Sequence, residues 1–141
     1  MSAAAVVAYR WDGKRSRLFF QVKPDSYNGE SLIGFRDDLR RHFRGRTVIL
    51  VWDGLPAHRS RVMIDYLRSQ RHWLSVERLP GYAPELNPVE YVWGNVKGQE
   101  LANLCADHLG QAAAALSSGM TRVRQSQHLC FAFLRNAGLS F

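Results

Sequence analysis

The sequence has little cysteine, a minority of acidic residues and no long apolar run. Its 141 residues include two cysteines, Cys105 and Cys130, which are too few for a disulfide framework or a four-ligand zinc site. Because both lie in apolar segments typical of helices, we expect both thiols to be buried. No apolar run approaches the length that spans a bilayer, and the N-terminus lacks the basic and then apolar pattern of a signal peptide. We therefore expect a soluble intracellular protein without a membrane partner.

The charged residues are mainly basic, which bears on the partner. Nineteen Lys and Arg stand against 12 Asp and Glu, for a formal net charge of +7 at pH 7. An excess of this size favours a polyanionic partner, above all nucleic acid, although a merely basic soluble protein would show the same charge. Hydrophobic residues make up 46% of the chain and aromatic residues 11%, which is enough for a folded core. At this length we expect a single domain over residues 1–141.

The hydrophobic periodicity predicts a hairpin followed by alternating helices and strands. Strands are expected at residues 3–10, 16–22, 47–52 and 73–79. Helices are expected at residues 30–43, 58–70 and 88–98, with two more between 106 and 137 that are joined near residues 117–119. Asn28 is expected to cap the first helix, Gly45 to follow its end, and Gly98 to stop the third. This order is typical of an α/β sheet with helices on its faces.

An acidic residue stands at the end of the most apolar of these strands. Residues 48–51 are all apolar, which predicts a buried strand, and Gly54 and Pro56 break it just after Asp53. Ligands and metals gather at the carboxyl ends of strands in α/β sheets. Taken alone, an aspartate there often only makes a turn. His58, a few residues later, could ligate a metal or orient a phosphate, or could simply begin the next helix.

A second acidic residue stands at the start of a predicted helix. A Pro-rich loop leads into Asn87 and Pro88, with Asn as N-cap and Pro at the first helical position. Glu90 then falls in the first turn, where its spacing from Asn87 also fits a capping box. Capping and catalysis explain Glu90 equally well when it is taken singly. Asp53 and Glu90 together, one at a strand end and one at a helix start, could share a divalent cation.

Together the two segments resemble the bacterial transposases of the IS630 group, relatives of the Tc1/mariner elements. In that family an apolar strand ends in Asp and a His follows, as at Asp53 and His58. A loop of the form Leu-Pro-x-Tyr-Ser-Pro-x-Leu-Asn-Pro-Ile-Glu-x-x-Trp comes next, with a Lys soon after. The matching residues are Leu79, Pro80, Tyr82, Pro84, Leu86, Asn87, Pro88, Glu90, Trp93 and Lys97. Ala83 and Val89 replace the usual Ser and Ile, and Gly54 stands where Asn is common.

This resemblance implies a ribonuclease-H-like fold, with a mixed sheet and flanking helices, and a function in DNA transposition. Asp53 would be the second acid and Glu90 the third acid of a DDE or DDD triad, as catalytic residues and metal ligands. Cutting and joining phosphodiesters requires an activated water or 3′-hydroxyl and a stabilised leaving oxygen, and two Mg²⁺ or Mn²⁺ ions can supply both. Carboxylate oxygens are the ligands that such hard cations prefer.

The expected DNA partner makes the basic side chains near these acids candidates for phosphate contacts. The candidate DNA-binding residues are His58, Arg59, Arg61, Lys97, Arg40 and Arg41. Lys97 lies two helical turns after Glu90 and so near the same helix face. A solvated helix face explains the arginines as well as a phosphate site does. By the same resemblance the protein would act as at least a homodimer, in the bacterial cytoplasm.

The sequence departs from the family pattern at its start. The first acid of the triad belongs on a strand upstream of the hairpin, and this chain begins at what would be the second strand. Asp12 in the hairpin turn and Asp25 in the next loop do not replace it, so we expect an N-terminally truncated catalytic domain that is inactive or nearly so by itself. A non-catalytic DNA-binding or dimerising fragment is the second hypothesis. A metal-dependent phosphohydrolase that uses Asp53, His58 and Glu90 is the third.

Overall fold

An antiparallel hairpin, a parallel strand pair and five α-helices make up the part of the chain that the structure describes. The structure is a computed structural model, and it describes residues 1–53, 60–105 and 107–139. The strands are β1 Ser2–Tyr9, β2 Ser16–Lys23, β3 Val48–Trp52 and β4 Leu74–Arg78. The helices are α1 Gly29–His42, α2 Arg61–Ser69, α3 Pro88–Val96, α4 Leu109–Arg124 and α5 Gln127–Asn136, and a π-helical turn, Lys97–Leu101, continues α3. Within these residues no helix is both long enough and apolar enough to cross a membrane.

The two ends of the chain form one unit, residues 1–26 with 85–141. Strands β1 and β2 pair antiparallel in a register that runs from Ser2 opposite Lys23 to Tyr9 opposite Ser16. The buried core of this unit contains Leu18, Val92, Val96, Leu116, Met120, Val123, Cys130 and Phe133. These residues come from the hairpin and from three helices, so the hairpin closes the core that the helices build.

The middle of the chain, residues 27–84, forms a second unit. Strands β3 and β4 pair parallel, with Val48 opposite Leu74 and Trp52 opposite Arg78. Helices α1 and α2 contribute Leu32 and Met63 to a core that also contains Trp52. The described residues thus contain two separate two-stranded sheets, one antiparallel in the first unit and one parallel in the second. Whether the two units make a single domain stays a prediction.

The start and end of α1 confirm their sequence signals. Asn28 and Ser31 form a reciprocal capping box, in which the Ser31 N–H donates to Asn28 Oδ1 and the Asn28 N–H donates to Ser31 Oγ, both at 2.9 Å. Gly45 lies just past the helix end with a φ of 75°, a conformation that glycine adopts without strain. The local chemistry therefore sets both ends of this helix.

The prediction that β3 is a fully buried strand is wrong for one of its faces. Leu50 and Trp52 face the core of their unit, but Ile49 is 68% exposed and Val51 is 48% exposed. Side chains alternate across a strand, and the hydrophobic cluster that contains Leu32 of α1 and Met63 of α2 includes Leu50 and Trp52 but neither Ile49 nor Val51. An all-apolar run reports β propensity, but whether both faces are covered depends on neighbours elsewhere in the chain.

Three further predictions about the C-terminal third are wrong. No helix ends near residues 117–119, because α4 continues to Arg124. The next helix starts after Ser126, whose side chain accepts from the Leu129 N–H. The helix that begins at Pro88 does not stop at Gly98 either, because the π-helical turn continues it through that residue. Of the two cysteines, Cys130 is buried and the other is exposed. Gly119 lies buried inside α4, where a small residue permits close approach to the π-helical turn.

Candidate functional site

Asp53 directly follows the last residue of β3, at the carboxyl end of the parallel strand pair. The ends of β3 and β4 are held together because the Leu79 N–H donates to the Trp52 carbonyl oxygen at 2.8 Å. Asp53 continues the alternation of Ile49 and Val51, the residues of the exposed face, and its own side chain is half-buried. The carboxylate is therefore fixed at a strand end and keeps access to solvent.

A buried arginine packs against the residue that precedes Asp53. The guanidinium carbon of Arg36 lies 4.2 Å from the centroid of the Trp52 ring, within cation–π range. Its Nη1 donates to the Leu32 carbonyl oxygen at 3.4 Å, and its Nε has no hydrogen-bond partner among the described residues. Burial lowers the pKa of Arg36 to about 10. Sequence analysis missed this contact, because helical periodicity gives no reason for an arginine to be buried.

Glu90 lies in the first turn of α3, where Asn87 and Pro88 start the helix as predicted. Asn87 Oδ1 accepts from the Val89 N–H at 3.2 Å, which satisfies one of the free donors at the helix start. The expected capping box does not form, and within the described residues the Glu90 carboxylate makes no hydrogen bond or ion pair. Glu90 is exposed. Capping therefore does not explain Glu90, and its carboxylate is available to a ligand.

The start of α3 is tied to the C-terminal helix by a tyrosine that sequence analysis did not single out. The Tyr91 hydroxyl lies 3.0 Å from the Glu85 carbonyl oxygen and 3.1 Å from the Asn136 carbonyl oxygen. It thus links the turn before α3 to the end of α5 and limits how the first turn of α3 can move. No local pattern could have revealed this link, because its partners are far apart in the sequence.

The candidate DNA-binding residues fall into three groups. Arg61 begins α2 and Lys97 begins the π-helical turn, and both are exposed. Arg40 is engaged with its neighbours, since Nη1 donates to Gln70 Oε1 at 3.0 Å and its guanidinium carbon lies 5.8 Å from the centroid of the Trp73 ring. Arg41 pairs with Asp38 at 3.0 Å on the surface, and His58 and Arg59 lie outside the described residues.

The donor types at the two acids suit a hard divalent cation. Both side chains offer carboxylate oxygens and neither is fully buried, so each could coordinate a metal that also keeps water or phosphate ligands. Asp53 belongs to the middle unit and Glu90 to the unit formed by the chain ends. Over residues 1–53, 60–105 and 107–139, no group of three or more His, Cys, Asp and Glu side chains could hold a metal ion.

Comparison with protein families identifies the family of the chain. The family model described as DDE superfamily endonuclease matches residues 6–109, which is most of the chain and includes both carboxylates. The chain belongs to this family. A comparison with curated proteins gives no match for this DDE endonuclease chain.

Solved structures share the fold of this DDE endonuclease. The catalytic domain of the Mos1 mariner transposase is similar at a TM-score of 0.56 and 16% sequence identity, over 99% of this chain and 82% of that one. The Mos1 catalytic domain with raltegravir and Mg is similar at a TM-score of 0.55 and 19% identity, over 99% of this chain and 83% of that one. The corresponding structure with Mn is similar at a TM-score of 0.55 and 17% identity, over 99% of this chain and 84% of that one.

These comparisons confirm the main predictions from the sequence. The ribonuclease-H-like α/β fold is confirmed by the likeness to the Mos1 catalytic domain. The predicted DDE character is confirmed by the family model over residues 6–109, and the fold is the one that the Mos1 mariner transposase catalytic domain has. The narrower assignment to the IS630 group stays a prediction.

Proposed function

We propose that this chain is part of the catalytic domain of a DNA transposase, in which Asp53 and Glu90 bind divalent metal and would serve DNA cleavage and strand transfer in the complete enzyme. The observation that carries the proposal is the DDE endonuclease match over residues 6–109, which spans both acids. The geometry agrees, because one carboxylate stands at a strand end and the other, without a hydrogen bond in the described residues, at a helix start. The narrower role of each acid in a DDE triad is part of the proposal.

The metal would be Mg²⁺ or Mn²⁺, because carboxylates are hard ligands and the Mos1 catalytic domain has been solved with each of these metals. When bound as a pair, such ions activate the attacking water or 3′-hydroxyl and stabilise the leaving oxygen. Asp53 would hold metal from a strand end that the Leu79–Trp52 hydrogen bond keeps in place. Glu90 would hold metal from a helix start that Tyr91 links to α5.

The same proposal assigns the basic residues to DNA and the active form to a homodimer in the bacterial cytoplasm. Lys97 and Arg61 are exposed and could contact phosphates directly. Arg40 and Arg41 would have to leave or share their present partners, Gln70 and Asp38 respectively, to do so. His58 and Arg59 complete the proposed set. The net charge of +7 supports a DNA partner, since phosphate contacts dominate affinity for DNA.

The proposal is tested by removing each carboxylate while keeping its shape. We expect Asp53→Asn and Glu90→Gln each to weaken Mn²⁺ binding by at least about tenfold, because loss of even a residue that only orients a metal ligand costs about 10–100-fold in affinity. Isothermal titration calorimetry with Mn²⁺ measures this directly. Glu85→Gln is the matched control, because Glu85 is also exposed and lies just before α3. Circular dichroism should show that all three variants are folded.

The Mn²⁺ titration tests the metal role of the two acids, and assays of DNA binding and of phosphate-ester turnover distinguish the alternative functions. Equal Mn²⁺ affinity in all variants would contradict the metal role of both acids. The net charge and the exposed Ile49 and Val51 favour a non-catalytic DNA-binding or dimerising fragment as the second candidate. Salt-dependent DNA binding that is unaffected by the loss of both carboxylates would support it. Turnover of small phosphate esters without affinity for DNA would support a phosphohydrolase instead.

A further inference from the structure

The turn between β1 and β2 is fixed by its own hydrogen bonds. The Arg10 N–H donates to the Arg15 carbonyl oxygen, and the Gly13 N–H donates to the Arg10 carbonyl oxygen, both at 2.9 Å. Asp12 Oδ1 accepts from the Lys14 N–H at 3.1 Å. Gly13 has a φ of 70°, which a side chain would make strained. The tip of the hairpin is therefore held in one conformation and does not need to be ordered by a partner.

This fixed turn presents a tryptophan to solvent. Trp11 is 84% exposed, whereas Trp52 is 6% exposed and Trp73 is 8% exposed. Trp11 belongs to neither of the two hydrophobic clusters found among the described residues. An indole that stays in water does not contribute the large stabilising free energy that burial of an aromatic ring provides. Packing within the described chain therefore gives no reason for a tryptophan at this position.

Exposed basic residues lie close to Trp11 in the sequence of the hairpin. Residues 10–17, which include the turn and the start of β2, contain four basic residues, and all four are exposed: Arg10, Lys14, Arg15 and Arg17. The acid in this segment, Asp12, is paired with Arg10 at 3.2 Å, and its side chain is only 16% exposed. The charge that the tip offers to a partner is therefore strongly positive.

We propose that this hairpin tip is a nucleic-acid contact element, in which Trp11 stacks on an unpaired base while the neighbouring cations bind the flanking phosphates. Stacking on an aromatic side chain combined with backbone neutralisation is how proteins hold single-stranded nucleic acid without reading its sequence. A fixed turn suits this task, because a preorganised side chain loses little conformational entropy on binding. The inference rests on the proposed function only in taking DNA as the partner.

The test compares two DNA duplexes with the same number of phosphates, one blunt and one with a short single-stranded overhang. We expect Trp11→Ala in the full chain to weaken binding to the overhang duplex by about tenfold, since base stacking on an aromatic ring contributes that much, and to change blunt-duplex binding much less. Trp11→Phe should retain most of the affinity. Leu109→Ala is the matched control, because Leu109 is an exposed apolar residue at the start of α4.

Fluorescence and salt dependence report the two halves of the contact. The Trp11 component of the emission, obtained by subtracting the spectrum of Trp11→Phe, should be quenched by the overhang duplex. Arg15→Ala should lower the slope of log affinity against log salt by about 0.7–0.9, the amount expected for one lost phosphate contact. Both readouts are independent of catalysis.

The outcomes separate this inference from the proposed function. If Trp11→Ala binds both duplexes as the unmodified chain does, the hairpin is not a contact element, although the transposase proposal stands. If Trp11→Ala weakens binding to the two duplexes equally, base stacking is wrong. If no form of the chain binds either duplex, the hairpin inference and the DNA partner of the proposed function both fail.

Discussion

We expect Gly119→Ala to lower the free energy of unfolding by roughly 1–3 kcal/mol, the usual cost of adding an atom to a well-packed interior. A Cβ at Gly119 would lie 2.7 Å from Val96 Cγ1 and 2.6 Å from Glu100 Oε2. Val96 is fully buried and cannot move aside without disturbing the core. The glycine is therefore required where α4 meets the π-helical turn.

Glu100, the second residue that a Cβ at position 119 would meet, makes Gly119→Ala more destabilising. Glu100 receives two hydrogen bonds from Arg122, from Nε at 2.5 Å and from Nη2 at 3.0 Å, and these hold the pKa of Glu100 below its usual value. Arg122 Nη2 also donates to Asn95 Oδ1 at 2.6 Å. A methyl group at position 119 would push the Glu100 carboxylate away from this arrangement, which joins α4 to α3 and the π-helical turn.

Gly94→Ala is the matched control, since it is the same substitution on another helix. A Cβ at Gly94 would meet nothing within 4 Å, and the residue is exposed. We expect this variant to be more stable by up to about 1 kcal/mol, because alanine has the higher helix propensity. Urea denaturation followed by circular dichroism measures both changes. Equal stability of the two variants would contradict the close contact at Gly119.

The second large effect is expected at Arg36, whose replacement should stabilise the protein. A guanidinium with a buried Nε that lacks a partner in the described residues carries a desolvation cost, and a lowering of its pKa to about 10 corresponds to about 3 kcal/mol against the charged form. Arg36→Met would remove the charge while keeping most of the volume. The loss of the contact with Trp52 offsets part of the gain. We expect a net increase of about 1–2 kcal/mol in the free energy of unfolding.

The pH dependence of this effect has a definite sign. Below pH 10 Arg36 is charged in the folded and the unfolded chain, so the full desolvation penalty of its buried charge lowers the stability of the folded state. As the pH rises from about 10 toward the ordinary arginine value, the folded state releases the proton first and the cost declines. The stability advantage of Arg36→Met should therefore be largest at pH 8 and smaller above pH 10. Comparing the two proteins at each pH cancels the titration of groups that do not interact with Arg36; Tyr66 does interact with it, so the double comparison is repeated in a Tyr66→Phe background.

Arg41→Met provides the control on the same helix. The Arg41 side chain is 80% exposed and pairs with Asp38 at the surface, and such pairs contribute little to stability. We expect its replacement to change the free energy of unfolding by no more than about 0.5 kcal/mol at either pH. A loss of stability in Arg36→Met, or an advantage that grows with pH, would show that the buried guanidinium is favourable as it stands.

Both predictions concern features that the sequence did not reveal. Arg36 occupies a helix position where an exposed arginine would be ordinary, and its burial follows from the ring of Trp52 on a strand that comes later in the chain. Gly119 looked like a helix break next to two serines, but it lies inside α4 because a partner helix needs the space. In each case the deciding contact joins segments that are distant in the sequence.

The placement of the two candidate acids could be predicted from the sequence, although their metal-binding role stays a proposal. The apolar strand predicted Asp53 at a strand end, and Asn87 with Pro88 predicted Glu90 in the first turn of α3, because both signals are local. The sequence left capping and catalysis open for Glu90. The structure removes the capping explanation, since within the described residues the carboxylate makes no hydrogen bond.

By itself the sequence determined the order of strands and helices, the caps of α1 and α3 and the positions of Asp53 at a strand end and Glu90 at a helix start, since turn chemistry, helix capping and hydrophobic periodicity act over a few residues. Only the tertiary structure decided that β3 leaves Ile49 and Val51 exposed, that Arg36 is buried and that Trp11 belongs to neither hydrophobic cluster of the described residues. Burial depends on which distant segments pack together. That information is spread over the whole chain, and no short stretch of it contains the answer.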